Sequence, residues 1–331
     1  MGHSRTAASA LSASSMVLAG LIVLLSLGVS PARAQDFPTK PIRLIIGYAP
    51  GGGAGIPATL IQPSLSKYLG QPVVLDFKPG ASSALAAGLL TKEKPDGYTL
   101  FLTSTAFTTF PARKTKFEFD VVKDFTPVSE IGDSPFIITV HPSSPINTVA
   151  DLIAHAKANP GKLNYGTSGG FGSDFMLFEY FKLLAGVSIV NVPYTGTAAV
   201  DTGVMSGTTE LGMGGSPSFG LVRAGKLKGI AVTSASRAAT LPNIPSLGET
   251  FPGFDGGFWI GIFAPKGTPP AIVRRLNEGL NHAIVQPEVQ KGYVPLNMTA
   301  KPSSPEDFSR KVQASVKTWL DLVAKTGMVL E

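Results

Sequence analysis

Short apolar runs alternate with segments of helical periodicity along most of this chain. The runs are too short for buried helices, whereas the segments between them repeat apolar residues at every third or fourth position. This alternation is typical of βαβ units and predicts largely parallel sheets covered by helices. The predicted strands are 42–46, 73–77, 100–103, 136–140, 163–165, 189–192, 211–213, 229–233 and 258–264.

Capping residues and prolines mark the predicted helices. Thr148 is placed to cap one helix, and Thr268 is placed to cap another that opens with Pro269 and Pro270, where proline is tolerated. Ser304 precedes a last helix with acids in its first turn, as the helix dipole prefers. Further helices are predicted over 60–69, 81–91, 176–184 and 198–205.

The strand-and-helix pattern stops and restarts, which predicts two α/β lobes. We expect lobe one to contain residues 35–137 and 257–331, and lobe two to contain residues 138–256. The chain then crosses between lobes near residues 136–141 and 254–261. Two such crossings form a hinge beside a ligand cleft.

The N-terminus has the pattern of a secretory signal peptide over residues 1–34. Arg5 precedes an apolar stretch over 16–29, and Ala32-Arg33-Ala34 provides a small-residue cleavage pattern. A retained membrane anchor is the alternative, although anchors usually need ~20 apolar residues. The chain has no Cys, so a lipid-modified Cys and disulfides are excluded. We expect a protein that is secreted and cleaved after Ala34.

Net charge and histidine spacing limit the kinds of ligand and partner that are expected. Removing the signal segment with its two arginines lowers the net charge from +6 to +4. This mild, evenly spread excess is compatible with an anionic ligand and argues against nucleic acid. The four His residues share no metal-binding spacing. We therefore expect neither a metal nor a cofactor.

The glycine run 51–53 lies between a predicted strand and a predicted helix. Glycines let backbone amides approach a ligand, and a helix N-terminus attracts anions. Residues 53–58 also fit the dinucleotide pattern G-x-G-x-x-A, with Asp76 near the position of a ribose-binding acid. A nicotinamide enzyme and a purely structural tight turn are therefore the alternatives to an anion site.

A second loop, residues 166–170, fits the G-x-S-x-G pattern of hydrolases around Ser168. A catalytic triad would also need Asp201 or Asp255, and then His282, which lies within a predicted amphipathic helix. The loop fits better as an anion-binding helix N-terminus. Its donors would be the hydroxyls of Thr167, Ser168 and Ser173 and the backbone amides of Gly170, Phe171 and Gly172.

Short segments spread over the predicted mature chain resemble the tripartite tricarboxylate transporter receptors, also called Bug or TctC-like proteins. The order and spacing of these segments are specific, although each is weak alone. They include Ala49-Pro50-Gly51-Gly52-Gly53, Pro95-Asp96-Gly97-Tyr98-Thr99-Leu100, Asn159-Pro160-Gly161-Lys162-Leu163-Asn164-Tyr165, Val192-Pro193-Tyr194-Thr195-Gly196 and Ala264-Pro265-Lys266-Gly267-Thr268-Pro269-Pro270.

The resemblance implies a type II periplasmic binding protein that is not an enzyme. Such a receptor acts in the periplasm, closes on a small organic carboxylate, and delivers it to a membrane transporter with one large and one small subunit. A monomer is expected. The implied ligand-binding residues are Tyr48, Gly51, Gly52, Gly53, Ala54, Thr103, Ser104, Phe107, Thr167, Ser168, Gly169, Gly170, Phe171, Gly172, Ser173, Tyr194, Thr195, Gly196 and Gly214.

Several residues differ from those usual in the family, and these differences affect which type of ligand is expected. Gly55 stands where an acid is usual, and rings at Phe107, Phe110 and Phe171 fall in or near the implied loops. If these rings line the cleft, an aromatic mono- or dicarboxylate is expected. If they pack in the core, aliphatic di- and tricarboxylates are the alternative. A secreted serine hydrolase using Ser168 and a ligand-sensing subunit of a signalling system are the alternative functions.

Overall fold

A computed structural model describes residues 37–50, 53–169, 172–300 and 302–330. One compact unit spans Lys40–Glu331, and the other, Met1–Thr39, contributes only residues 37–39 to the description. The predicted signal peptide, residues 1–34, therefore lies outside the described residues.

The described strands number ten and form two five-stranded mixed sheets. The first sheet has the order β2-β1-β3-β10-β4 and the second has the order β7-β6-β8-β5-β9. The strands are β1 (Ile42–Ile46), β2 (Val73–Phe77), β3 (Thr99–Ser104), β4 (Phe125–Ser134), β5 (Ile137–Val140), β6 (Asn164–Thr167), β7 (Val190–Pro193), β8 (Leu211–Gly214), β9 (Lys228–Val232) and β10 (Phe258–Pro265). We call the parts built around these sheets lobe one and lobe two.

Helices pack on the faces of both sheets. They are α1 (Gly55–Leu69), α2 (Ala84–Leu90), α3 (Val149–Ala158), α4 (Ser173–Ala185), α5 (Thr197–Ser206), α6 (Ser216–Arg223), α7 (Leu247–Thr250), α8 (Pro270–Ile284), α9 (Pro287–Tyr293) and α10 (Pro305–Thr326). Short 3-10 segments occupy Thr105–Ala112 and Val294–Leu296. No helix in the described part of the chain has both the length and the apolar character needed to cross a membrane.

Strand polarity brings the chain crossings to one edge of each sheet. In lobe one, β1, β2 and β3 are parallel, and β10 begins at Phe258 beside the end of β4, where Phe258 pairs with Ser134. In lobe two, β5 begins at Ile137, which pairs with Gly214 at the end of β8 and with Val232 at the end of β9. Both crossings therefore join the carboxyl edges of the parallel strands.

Hydrogen bonds through two buried threonines hold the crossings together. Thr233 Oγ1 accepts from Phe136 N at 2.9 Å and donates to Gly256 O at 2.7 Å. Thr105 Oγ1 accepts from Trp259 N at 2.7 Å and donates to Gly257 O at 3.0 Å. These two hydroxyl groups thus provide partners for four backbone groups of the crossings.

The core of lobe one is a cluster of aromatic rings. The rings of Phe107 and Phe125 have centroids 5.0 Å apart in an edge-to-face arrangement, which aromatic pairs favour. The cluster extends from Phe101 to Phe263 and Phe308. Helix α10 continues from this cluster into the core of lobe two, which is formed with Trp319, Leu322 and Leu330.

The structure confirms most of the predicted helices and strands. It corrects two predictions, one about a helix N-cap and one about the relative direction of the strands. Thr148 caps α3 through a reciprocal pair of hydrogen bonds with Asp151, as predicted. The prediction for Thr268 was wrong, because its hydroxyl donates to Pro265 O and the N-cap is Pro269. Both sheets are mixed rather than largely parallel, because β10 and β5 run against their neighbours. The predicted lobe boundaries in the sequence stay predictions.

Gly261 tests the close packing between β10 and α10. A Cβ at Gly261 would lie 2.0 Å from Phe308 Cζ, so Gly261→Ala should lower the free energy of unfolding by at least ~1–3 kcal/mol. Gly88→Ala is the control, because no atom lies near that Cβ and alanine should stabilise α2 by roughly 0.5–1 kcal/mol. Urea denaturation measures both variants, and equal stabilities would contradict the packing argument.

Thr233 tests the bonds between the crossings. Thr233→Val removes the hydroxyl but keeps the shape, leaving Phe136 N and Gly256 O without their partner. We expect a loss of about 1–3 kcal/mol in the free energy of unfolding. Thr233→Ser retains the hydroxyl and should recover most of that loss. Thermal and urea denaturation should rank wild type, Ser and Val in that order.

Candidate functional site

The carboxyl edges of the two sheets meet at the crossings, and the loops that follow β1, β2, β3, β6, β7 and β8 all leave these edges. Ligands of α/β sheets bind at the carboxyl ends of strands. Most residues predicted to bind ligand lie in these loops, so the topology brings the two sets, one from each lobe, to the same side of the molecule.

In lobe one, two pairs of hydroxyl groups lie at the ends of β1 and β3. Tyr48 Oη and Ser104 Oγ are 2.6 Å apart. Thr103 Oγ1 and Ser83 Oγ are 2.8 Å apart, and both residues are buried. Tyr48 is only partly buried, whereas its partner Ser104 is buried.

The turn before α2 has an unusual backbone that the sequence did not reveal. Ala81, Ser82 and Ser83 have φ values of 46°, 54° and 79°. Such left-handed conformations are unfavourable for residues other than glycine and cluster at functional sites. Gly47 allows the turn to approach β1, since a Cβ at position 47 would lie 2.3 Å from Ser83 Cβ. Nothing in the Ala-Ser-Ser sequence signals this conformation.

A cation that sequence reasoning missed lies near the hydroxyl groups of lobe one. The Arg113 guanidinium donates to Thr109 Oγ1 at 3.1 Å and lies over the ring of Phe110. Burial lowers the pKa of Arg113, and the nearby Tyr48 partly offsets this effect. Positive charge therefore lies on the lobe-one side of the site.

In lobe two, the donors of Ser168 are already paired. Asp174 Oδ2 accepts from Ser168 N at 2.6 Å and from Ser168 Oγ at 2.7 Å. Asp174 lies in the first turn of α4 with only 2% of its surface exposed. Burial raises the pKa of Asp174, although the bonds from Ser168 act against this rise. An internal carboxyl group therefore occupies the donors that the sequence assigned to a ligand.

Two further predicted hydroxyl groups face the interior of lobe two. Thr167 Oγ1 donates to Asn191 Oδ1 at 2.9 Å. The ring of Tyr194 packs on Gly166, and its buried hydroxyl lies beside Gly203, where a Cβ would come within 2.4 Å. The side chains of Thr167 and Tyr194 are therefore directed into the lobe, and only their backbone belongs to the edge.

Glycines at the lobe-two edge allow close backbone approach. Gly196 N donates to Ser168 O at 3.0 Å, which joins the loops after β6 and β7. Gly169, with φ at 107°, lies so close to Tyr194 O that a Cβ would come within 2.7 Å. Thr195 is exposed and Gly172 is partly exposed, whereas Ser173 is buried in the first turn of α4.

Gly214 lies over a buried polar pair. A Cβ at Gly214 would come within 2.2 Å of Ser218 Oγ, which donates to Asp201 Oδ1 at 2.6 Å. Burial raises the pKa of Asp201, and its second oxygen has no hydrogen-bond partner among the described residues. Gly214 thus leaves room for this pair beneath the edge.

The structure corrects the prediction that the rings of Phe107 and Phe110 line the ligand cleft. Phe107 was assigned to the ligand cleft, but the structure buries it completely among the rings of the lobe-one core. Phe110 packs in the same core, stacked on Phe117 with centroids 4.5 Å apart. These rings are part of the core and present no surface to a ligand.

The remaining predicted residues belong to the two glycine-rich loops. Gly53 is exposed and Ala54 is buried at the start of α1. Gly51, Gly52, Gly170 and Phe171 lie outside the described residues.

The placement of other side chains bears on the enzyme alternatives. His282, needed for a triad with Ser168, belongs to lobe one, where its ring centroid lies 4.9 Å from that of Tyr68. Asp76, considered as a ribose-binding acid, pairs with Arg43 at 2.6 Å. Within the described residues, no group of three or more His, Asp or Glu side chains is arranged to hold a metal ion.

The raised pKa of Asp174 predicts a dependence of stability on pH. The folded protein holds this proton more tightly than the unfolded chain, so Asp174 lowers stability as pH rises through its folded pKa. Asn cannot titrate, so the free energy of unfolding of Asp174→Asn relative to wild type should rise as the pH increases above about 4, the ordinary pKa of an unfolded Asp. Urea denaturation across this range measures the difference.

Asp151→Asn is the control for this experiment. Hydrogen bonds from Asn147 N and from the capping Thr148 lower the pKa of Asp151. Its contribution therefore stabilises the protein at higher pH and is lost as pH falls. The stability of Asp151→Asn relative to wild type should fall as the pH rises, mostly below pH about 4, so its measurements extend to pH about 3. A change in the same direction for both variants would contradict the assignment.

Comparison with known proteins places this architecture in a family. The family model for the tripartite tricarboxylate transporter family receptor, TctC, matches residues 58–328. BugT of Bordetella pertussis is 27% identical over 320 residues, which cover 96% of this chain and 98% of BugT.

Two solved structures from Rhodopseudomonas palustris share the fold. One, solved with adipate, has 32% sequence identity and a TM-score of 0.74, covering 89% of this chain and 99% of its own. The other, MatC with bound malate, has 26% identity and a TM-score of 0.71, covering 87% of this chain and 100% of its own. The two mixed α/β sheets of this protein thus match the fold of these structures. The chain therefore belongs to the tripartite tricarboxylate transporter receptors, the Bug or TctC-type family of periplasmic solute-binding proteins, which are receptors and not enzymes.

Proposed function

We propose that this receptor captures a small organic carboxylate between the carboxyl edges of its two sheets and delivers it to a tripartite tricarboxylate-type membrane transporter. It would act in the periplasm as a monomer after loss of residues 1–34, with a transporter of one large and one small subunit. The binding loops come from lobe one, residues 35–137 and 257–331, and from lobe two, residues 138–256.

The meeting of the two carboxyl edges at the paired crossings is the observation that carries this proposal. The first crossing has only Pro135 and Phe136 between β4 and β5, and Thr233 bridges Phe136 to Gly256 of the second crossing, so the two crossings lie side by side. Crossings of this kind let two lobes close around a ligand by hinge motion.

The chemistry of the lobe-one edge suits an anion. Its loops, residues 47–54, 78–83 and 103–105, contain no Asp or Glu. They offer the hydroxyl groups of Tyr48 and Ser104, and Arg113 lies close to Tyr48. Hydrogen bonds from such groups to a carboxylate are charge-assisted and correspondingly strong.

The relatives support a carboxylate but leave its carbon skeleton open. The compared structures contain adipate and malate, both aliphatic acids. The aromatic preference suggested by the sequence loses the support of Phe107 and Phe110, which lie in the core. The proposal therefore covers small organic carboxylates without a preference for aromatic ones.

Calorimetry on refolded, ligand-stripped protein tests the proposal against a panel of hexanoate, adipate, malate, citrate, benzoate and terephthalate. At least one acid should bind, and at saturation it should raise the melting temperature, because it binds only the folded state. Ser104→Ala should weaken that acid about tenfold, since one hydroxyl and the position of Tyr48 are lost.

Ser315→Ala serves as the matched control, because this hydroxyl bonds Lys311 O within α10 and lies outside the edge loops. It should bind the acid as wild type does. If both variants weaken binding equally, the ligand does not bind at the lobe-one edge. No response to any acid would refute carboxylate capture.

A further inference from the structure

We propose that Asp174 makes this receptor select acids with one carboxylate over those with two. The inference rests on the proposed function, because it assumes that a carboxylate binds at the lobe-one edge. It assigns a specificity-determining role to a buried side chain that the sequence had not singled out.

The hydrogen-bond donors of Ser168 are already used within the protein. A ligand carboxylate at lobe two would need the N–H and O–H groups of Ser168 and the N-terminus of α4. Both groups of Ser168 donate to the same oxygen of Asp174, at 2.6 and 2.7 Å. The other oxygen lies against Gly172, where a Cβ would come within 2.7 Å. The carboxyl group of Asp174 thus occupies the place of a bound anion.

The position of Asp174 in α4 adds to this effect. An acid in the first turn of a helix interacts favourably with the helix dipole, so α4 has satisfied its preference for negative charge from within the chain. A second carboxylate brought to this turn would find these donors engaged and a carboxyl group beside it. Two carboxylates in one site repel unless one takes a proton.

The two edges therefore differ in electrostatic character. Lobe one provides hydroxyl groups near the Arg113 guanidinium, and its edge loops contain no acid. Lobe two has Asp174 under its β6 loop and Asp201 beneath Gly214. An elongated ligand fits this asymmetry when its carboxylate points to lobe one and an uncharged end points to lobe two.

Matched acids test this inference by calorimetry. Hexanoate and adipate differ by one carboxyl group at the same chain length, and benzoate and terephthalate do so on a ring. Wild type should bind the monoacid of the pair at least tenfold more tightly than the diacid. Asp174→Ser removes the carboxyl group and frees Ser168. This variant should reduce the ratio of monoacid affinity to diacid affinity tenfold or more.

A second variant separates charge from hydrogen bonding. Asp174→Asn keeps an acceptor for Ser168 but removes the charge, so its ratio should lie between those of wild type and Asp174→Ser. Asp151→Asn is the control, because it removes an acid from the first turn of α3 near Lys228, at the opposite edge of the lobe-two sheet. The ratio of monoacid affinity to diacid affinity in Asp151→Asn should equal that of wild type.

The outcomes distinguish this inference from the proposed function. Tighter binding of adipate than hexanoate by wild type, or of terephthalate than benzoate, would overturn the role of Asp174 while leaving carboxylate capture intact. An unchanged ratio in folded Asp174→Ser would do the same. If wild type binds no acid of either pair or of the wider panel, the proposed function itself fails, and this inference fails with it.

Discussion

The rest of the structure depends on the buried hydrogen bonds that join the two chain crossings. Thr233 links Phe136 to Gly256, and Thr105 links Gly257 to Trp259. A buried backbone group needs a hydrogen-bond partner, and here one threonine from each lobe provides a partner for two backbone groups of the crossings. These bonds hold the carboxyl edges together, so the loops that follow six different strands lie where we propose that the ligand binds.

Much of this fold could be predicted because strands buried on both faces read as continuous apolar runs. Thus the almost wholly buried β1 was predicted with its observed bounds, and so was the edge strand β2, which is apolar apart from Asp76 although it is only partly buried. The long edge strand β4 was missed, since Phe125–Ser134 contains Pro127 and mixes polar with apolar residues. The antiparallel direction of β10 was missed for another reason, because apolar patterning reports burial and does not encode the partner strand.

Prediction of the site was limited in a comparable way. Glycine-rich loops between strand and helix are visible in a sequence because the required conformations favour glycine, and the described residues of these loops, Gly53, Gly169 and Gly172 among them, do lie at the edges. The run of left-handed residues from Ala81 to Ser83 carries no such signal, because the surrounding structure imposes it. Phe107 was misplaced for a related reason, since an aromatic ring suits a core and a cleft equally well until its neighbours are known.

Lobe two adds a general constraint on reading anion sites from sequence. The attraction of a helix N-terminus for negative charge does not distinguish a ligand from a nearby side chain. In the segment from Ser168 to Asp174 the loop supplies its own acid, which accepts both donors of Ser168 within the protein. A serine- and glycine-rich loop before a helix therefore indicates a ligand site only after the acids of the first helical turn have been considered. In this receptor the acid accepts the donors at one edge only, although both edges are built from the same kind of loop.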